Sequence, residues 1–421
     1  MSAFGIIGAG ISGISIGRLL CDSNRIVEVF EKNDKAGGLV RCDKVDGALY
    51  HRVGGHVFNA KSESVKSWIR ELVDFDRELL FQVRNARILF GEKTVGYPIE
   101  NHLYELPEGV VGEVISDLLA LPEEPDRSSF GAFLRTSFGQ TLVELYFEPY
   151  NSKIWNQSLD RIPIRWLEGK LPMPKRREIL LDNIFRKSET KMVHSSFFYP
   201  KEGGSQFWIN RIGAGVPIHR DFDVRRIERV GKELKIGGHD RSFGGLVFTG
   251  DIRRFPDIAS FKDTRLEEAL AQCRNLRTRG VTNVLCECDA NDLSWLYLPE
   301  EKFNAHRIIY TGNFSPFNSG NRGGGRSTCV VEFEYGSRRE EIECDIERLP
   351  GNLQVIDFNE TQDAYIVQDA DTNLRIQQVR DLLKPYNIHL AGRFAEWEYY
   401  NMDKCIERSM ELARFLLGGN I

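Results

Sequence analysis

No uninterrupted apolar run in these 421 residues approaches the ~18 that a membrane-spanning helix requires, so no span is expected. Met1 runs directly into an apolar strand without a basic leader and cleavage site, so no secretory signal is expected either. Metal-binding spacing is equally scarce. The eight cysteines are scattered at 21, 42, 273, 286, 288, 329, 344 and 405, with no C-x-x-C pair and no His-x-His cluster. The one close pair, Cys286 and Cys288, lies in an alternating run that puts both on one face of a strand. Structural thiols in a reducing, cytoplasmic setting are expected, and no metal. Excess positive charge is also absent. A net charge of −5 excludes a general nucleic-acid binder, so an anionic ligand must meet a local cluster of cations. There is no internal repeat and no low-complexity tract. What remains is an ordinary globular composition, 41% hydrophobic and 28% charged, long enough for two or three domains.

The strongest positive signal is at the start. Ile6-Ile7 leads into Gly8-Ala9-Gly10-Ile11-Ser12-Gly13, a G-x-G-x-x-G run straight after a strand. Gly8 makes the tight turn, Gly10 lets the backbone approach a pyrophosphate, and Gly13 lets the helix pack closely on the sheet. The helix N-terminus then faces the phosphate charge. Glu31 ends the next apolar strand, 18 residues beyond Gly13, where a carboxylate accepts both ribose hydroxyls. The Gly37-Gly38 turn that follows favours FAD over NAD as the dinucleotide.

Further along, Ala86–Phe90 and Thr94–Pro98 alternate as strands, and residues 109–150 carry helical spacing. The charged, proline-bearing segment 161–191 predicts a helix flanked by a mobile loop. Alternation over 284–357 predicts an antiparallel sheet, and the glycine-rich stretch Asn318–Gly325 a flexible loop. Gly245–Gly250 and His389–Arg393 are strand-like segments that return to the nucleotide unit. Met402-Asp403 opens an amphipathic helix running to Leu417, whose first amides would face a flavin. The expected fold class is α/β. A discontinuous Rossmann-type FAD-binding domain takes residues 1–80, 214–260 and 384–421. A helical domain takes 102–190, and an antiparallel β-sheet domain 81–101, 191–213 and 261–383.

Several strings occur together in one order: Gly54-Gly55-His56-Val57-Phe58, Tyr97-Pro98-Ile99-Glu100-Asn101, Tyr150-Asn151-Ser152-Lys153-Ile154-Trp155, Val247–Gly250, His306-Arg307-Ile308-Ile309, Glu334-Tyr335, and Gly392-Arg393-Phe394-Ala395-Glu396-Trp397-Glu398-Tyr399-Tyr400-Asn401-Met402. With the glycine motif, they resemble the UDP-galactopyranose mutase family over nearly the whole chain. The Tyr-x-x-Lys-x-Trp element is also similar to the related protoporphyrinogen-oxidase and amine-oxidase branch. The resemblance implies an isomerase with reduced FAD, whose N5 attacks the anomeric carbon of a nucleoside-diphosphate sugar. Pyranose and furanose then interconvert without net redox change, as a step in polysaccharide synthesis. An FAD-dependent oxidase or desaturase is the alternative. The oligomeric state is left open, a homo-oligomer included.

Residue by residue, the resemblance makes Arg307 the phosphate-binding arginine and main cation, with Tyr335 and Tyr399 as phosphate-binding tyrosines. Tyr150 would stack on the nucleobase and Trp155 would lie beside the sugar, with Asn101 and Asn401 also near substrate. His56 would lie near the flavin. Cofactor contacts fall on Gly8, Gly10, Ile11, Ser12, Gly13, Glu31, Lys32, Gly38, Leu39, His56, Val224, Thr249, Gly392, Arg393 and Met402. There are departures. The family's loop arginine aligns with Lys170, which keeps the charge but loses the bidentate fork, and Arg176 or Arg177 could substitute. Asn401 and Asn59 stand where an aspartate and a histidine are common. These departures bear on which sugar and which nucleotide, more than on the fold.

Overall fold

The computed structural model describes residues 3–164, 175–187, 195–323 and 325–419. Its first layer is a five-stranded parallel sheet, in spatial order Ile388–Leu390, Gly245–Phe248, Phe4–Ile7, Val27–Phe30 and Ile218–His219. Phe4–Ile7, Val27–Phe30 and Gly245–Phe248 are buried along their whole length, as strands covered on both faces must be. Helices Ile11–Asp22, Gln206–Ile212 and Met402–Leu416 pack into one apolar cluster, built around Ile14, Ile209 and Ile406. A separate cluster includes Leu270 of helix Thr264–Cys273 and Val379 of helix Thr372–Leu383, together with Leu246 and Phe248.

The second layer is a seven-stranded sheet: Gln354–Val367, Arg277–Asp289, Arg326–Glu334, Arg307–Ile309, Trp295–Tyr297, Ala86–Phe90 and Lys93–Gly96. Antiparallel pairing was the expectation, and one pair departs from it. Trp295–Tyr297 runs parallel to Ala86–Phe90, making the sheet mixed. The two strands are about two hundred residues apart in sequence, so no hairpin forces them to reverse. Leu79–Val83 leaves this sheet and pairs instead with Ser196–Pro200. Cys286 and Cys288 do share a face, buried, and Cys286 pairs across the ladder with Cys329.

The helical layer runs Glu108–Ala120, Phe130–Phe138, a π-helical turn Val143–Phe147, and Glu148–Trp155. Its apolar faces close on the mixed sheet in one core that includes Leu118, Phe133, Tyr150, Leu285 and Ile309. Helix Arg176–Ile184 lies where a helix was expected, whereas residues 165–174 and 188–194 are outside the described residues. The glycine-rich stretch is less loose at its start than its composition suggests. Asn318 is buried and donates to Tyr199 Oη (3.0 Å) and to the Thr311 carbonyl (2.8 Å). A Cβ at Gly320 would fall 2.7 Å from the Gly47 carbonyl oxygen.

Candidate active site

Two turns are stitched together at the top of the parallel sheet. Gly8 has φ +100, which favours glycine, and a Cβ at Gly13 would sit 2.0 Å from the Gly8 carbonyl oxygen. Around Gly10, by contrast, an added Cβ meets nothing within 4 Å among the described residues, so that space is open for a ligand. Glu31 holds the turn from behind. Its carboxylate accepts from the Ala9 amide at 2.9 Å and from the Asn33 amide at 3.0 Å. The Gly37 amide donates to the Ala9 carbonyl (3.0 Å), which ties in the second glycine turn.

These turns border a cavity of about 790 Å³. Every residue assigned to a cofactor from the sequence lines it except Gly13, which packs beneath. Gly392 and Arg393 close the far wall, beside the first residue of the Met402–Leu416 helix, with Asn401 as its N-cap. His56 also faces the cavity. Burial first, and the nearby Arg393 charge second, push its pKa down to about 3, so the ring is neutral. Its Nε2 is buried and has no hydrogen-bond partner among the described residues. An orphaned polar atom in the wall, open space at Gly10 and an acid at Glu31 fit a bound dinucleotide.

Beside this cavity lies a charged group centred on the buried Glu332. Arg307 pairs across the sheet with Glu332. Its Nε and Nη2 donate to Glu332 Oε2 at 2.9 and 2.7 Å, and Nη2 also donates to Tyr365 Oη at 2.7 Å. Tyr365 Oη in turn donates to Glu332 Oε1 at 2.6 Å. Burial alone would raise the Glu332 pKa. The Arg307 charge, followed by His306 and Tyr365, outweighs burial and holds the carboxyl well below the usual range. Arg307 is correspondingly held charged, since Glu332 outweighs its own desolvation.

Aromatic rings link this group to the cavity. Tyr365 lies parallel to Tyr399, centroids 6.0 Å apart, and edge-on to Trp155 at 6.1 Å. The Arg393 guanidinium sits 4.5 Å over the Tyr399 ring. Tyr150 stacks on Tyr146 (5.6 Å) and meets Tyr297 edge-on (5.3 Å). Tyr97 reaches Tyr297 at 4.6 Å, and the turn that follows it ends at the buried Asn101. So the fold brings Arg307, Tyr399, Trp155, Arg393 and His56 into one neighbourhood, with Tyr150 on its aromatic flank. Tyr335 is placed differently: it follows the strand Arg326–Glu334, is 41% exposed, and has Gly280 packed against its Cβ. It is Tyr365 that touches Arg307. Lys170 lies outside the described residues. Arg176 is turned to the Leu121 carbonyl (2.9 Å), and Arg177 lies on the same exposed helix.

Sequence reasoning missed Glu332 and Tyr365. Glu332 did leave a signal, since it is an acid inside the apolar run Cys329–Phe333. Tyr365 left none. Elsewhere, Glu28, His219 and His239 form the one group of three potential metal ligands among the described residues. Both histidine Nε2 atoms approach Glu28 Oε2, at 2.6 and 2.9 Å. The Arg241 amide donates to His239 Nδ1 (3.2 Å), which places that ring's proton on Nε2 and leaves no lone pair there for a metal. The group is a hydrogen-bonded ion network.

Comparison with known proteins adds to this geometry. The family of NAD(P)-binding Rossmann-like domains matches residues 6–72. A UDP-galactopyranose mutase of Mycoplasma genitalium is 21% identical, covering 98% of this chain and 94% of that protein. A dTDP-fucopyranose mutase of Escherichia coli is 22% identical, covering 99% and 98%. A crystal structure of reduced UDP-galactopyranose mutase superimposes with a TM-score of 0.87, at 18% identity and over 99% of this chain and 96% of that one. The fold is that of UDP-galactopyranose mutase. A putative protoporphyrinogen oxidase from Exiguobacterium superimposes with a TM-score of 0.73 at 16% identity, covering 99% of this chain and 98% of that one. In this mutase fold, the cavity and the Arg307 group stand side by side.

Proposed function

We propose that this chain is a flavin-dependent sugar-nucleotide mutase interconverting pyranose and furanose forms. The observation that carries the reading is the half-buried cation of Arg307, anchored on the buried Glu332 beside the dinucleotide cavity and joined to it through Tyr365, Tyr399 and Arg393. Full-length similarity to two pyranose mutases with different nucleotides and sugars supports the reaction class and leaves the sugar open.

Reduced FAD, when bound, would supply the nucleophile for the anomeric carbon. Gly8 to Ser12, Glu31, Gly38 and Gly392 would hold it, with the neutral His56 offering one hydrogen bond. The residues of the chain then have a limited task. Arg307 and Tyr399 bind the diphosphate and stabilise it as a leaving group, since charge-assisted hydrogen bonds strengthen as negative charge develops. Trp155 and Tyr365 form an apolar wall beside the sugar and exclude water. Tyr150 would stack on the base. Lys170, or Arg176 or Arg177, would bring the further cation that a doubly charged diphosphate demands.

The test is direct. Dithionite-reduced protein is mixed with UDP- and dTDP-sugars and the products are separated by chromatography. A furanose product from at least one of them is expected. Oxygen uptake coupled to substrate loss, with no furanose, would overturn the reading in favour of the oxidase alternative.

A further inference from the structure

Helix Glu148–Trp155 carries Tyr150 and Trp155, and strand Arg307–Ile309 begins with Arg307. Lys153 joins the two. Its Nζ lies 2.8 Å from the Leu298 carbonyl oxygen, 2.6 Å from that of Glu300 and 3.4 Å from that of Ala305. All three acceptors belong to the loop between strands Trp295–Tyr297 and Arg307–Ile309. An ammonium has three protons, and here three backbone acceptors surround it. From the other side, Asp345 Oδ2 accepts from the Ala305 amide at 2.9 Å. The loop is thus gripped between a cation and an anion, two residues short of Arg307.

We propose that Lys153 is a positioning residue that sets the gap between the aromatic pair on the helix and Arg307 on the sheet. What the gap is for rests on the mutase reading; that Lys153 sets it does not. The residues around it support the assignment. A π-helical turn, Val143–Phe147, precedes the helix and changes its phase. Beyond the helix, Asn156 Nδ2 donates to Glu334 Oε1 at 3.1 Å, tying that end to the strand bearing Glu332. Lys153 is therefore the middle fastening of a helix that could otherwise slide against the hairpin.

The fastening is titratable. Burial pushes the Lys153 pKa down to about 8, against the opposing charges of Asp345, Glu300 and Glu301. His306, the other titratable group facing it, is kept neutral chiefly by burial. Above that pH the amine has two protons for three carbonyls, and the loop loses one attachment.

The experiment compares the full-length holoprotein with Lys153→Met and Lys153→Arg. It reads UDP and dTDP affinity by tryptophan fluorescence as a function of pH, flavin content, and amide hydrogen exchange. Wild-type affinity is expected to fall as pH rises through about 8. In Lys153→Met that limb should vanish and affinity should fall about tenfold, the loss of roughly one hydrogen bond's worth of contact when Arg307 and the aromatic pair move apart. Flavin content should not change, since Lys153 does not line the cavity. Exchange in 298–306 and 148–155 should accelerate together. If Lys153→Met does not fold, Lys153→Arg decides: its permanent charge should also remove the limb, and a persisting limb overturns the proposal. A Lys153→Met protein that melts lower but keeps wild-type nucleotide affinity and its pH limb also overturns it. If the wild type binds no nucleotide at all, the mutase reading falls. The fastening is then judged on exchange alone: joint acceleration supports it, and unchanged exchange overturns it.

Discussion

Arg307 is a cation with a carboxylate already on two of its nitrogens, and this changes what it can offer a diphosphate. Nη1 makes no hydrogen bond to the described residues, so under the mutase reading one edge of the guanidinium is left for a substrate while the other is neutralised by Glu332. Arg307→Ala should remove a charge-assisted bond worth about 1.5–3 kcal/mol. That is roughly ten- to hundredfold in kcat/KM, measured by furanose formation. The same change strands Glu332 in the core and should cost about 3–5 kcal/mol of stability in a denaturant titration. A variant that turns over like wild type would remove Arg307 from the clamp. The buried histidines give a second prediction. Burial lowers the pKa of His51 to about 4 and that of His56 to about 3, from an ordinary 6.5. Between those values and 6.5 the unfolded chain binds protons that the folded one refuses. Stability should therefore rise with pH across that window and level off above it. Thermal melts of wild type and His51→Gln should show a shallower slope in the variant; equal slopes would show that His51 does not titrate on unfolding.

At the scale of elements, the sequence was most legible where a site is contiguous. The strand, glycine turn and acid around Gly8 to Glu31 declare themselves because the ligand is held by backbone with fixed spacing. This permits a contrast between two glycines. Gly13→Ala drives a Cβ into the Gly8 carbonyl and should destabilise even cofactor-free protein by about 1–3 kcal/mol. Gly10→Ala meets no protein atom within 4 Å, so the cofactor-free protein should melt as wild type while FAD binding weakens. Calorimetry and flavin titration on both variants separate the cases; equal loss of stability would show that the space at Gly10 is not reserved for ligand. The Arg307–Glu332–Tyr365 group was not legible, because it is a product of register. The three residues come from three strands, and a shift of one residue in any ladder would dissolve the group. The parallel pairing of Trp295–Tyr297 was hidden for the same reason: periodicity reports a strand's faces and says nothing of its neighbour's direction.

For the molecule as a whole, the mutase reading demands a redox state without a redox reaction. Only in a reduced flavin is N5 an electron-rich, nucleophilic amine; in the oxidised ring it is an electrophilic imine-type nitrogen. Activity should therefore appear with reductant and disappear on air oxidation, with far less reductant consumed than product formed. Stoichiometric consumption would contradict the isomerase. The parallel sheet carries one more consequence. Strands Phe4–Ile7 and Val27–Phe30 are made early, but the edge strand Ile388–Leu390 and the cavity residues Gly392, Arg393 and Met402 follow more than 350 residues later. At about 5–20 residues per second, a ribosome spends tens of seconds between the first glycine turn and the strand that completes its cradle. During synthesis the nascent chain therefore presents half a receptacle, and the coenzyme can be captured only after the segment from Ile388 to Met402 has been made.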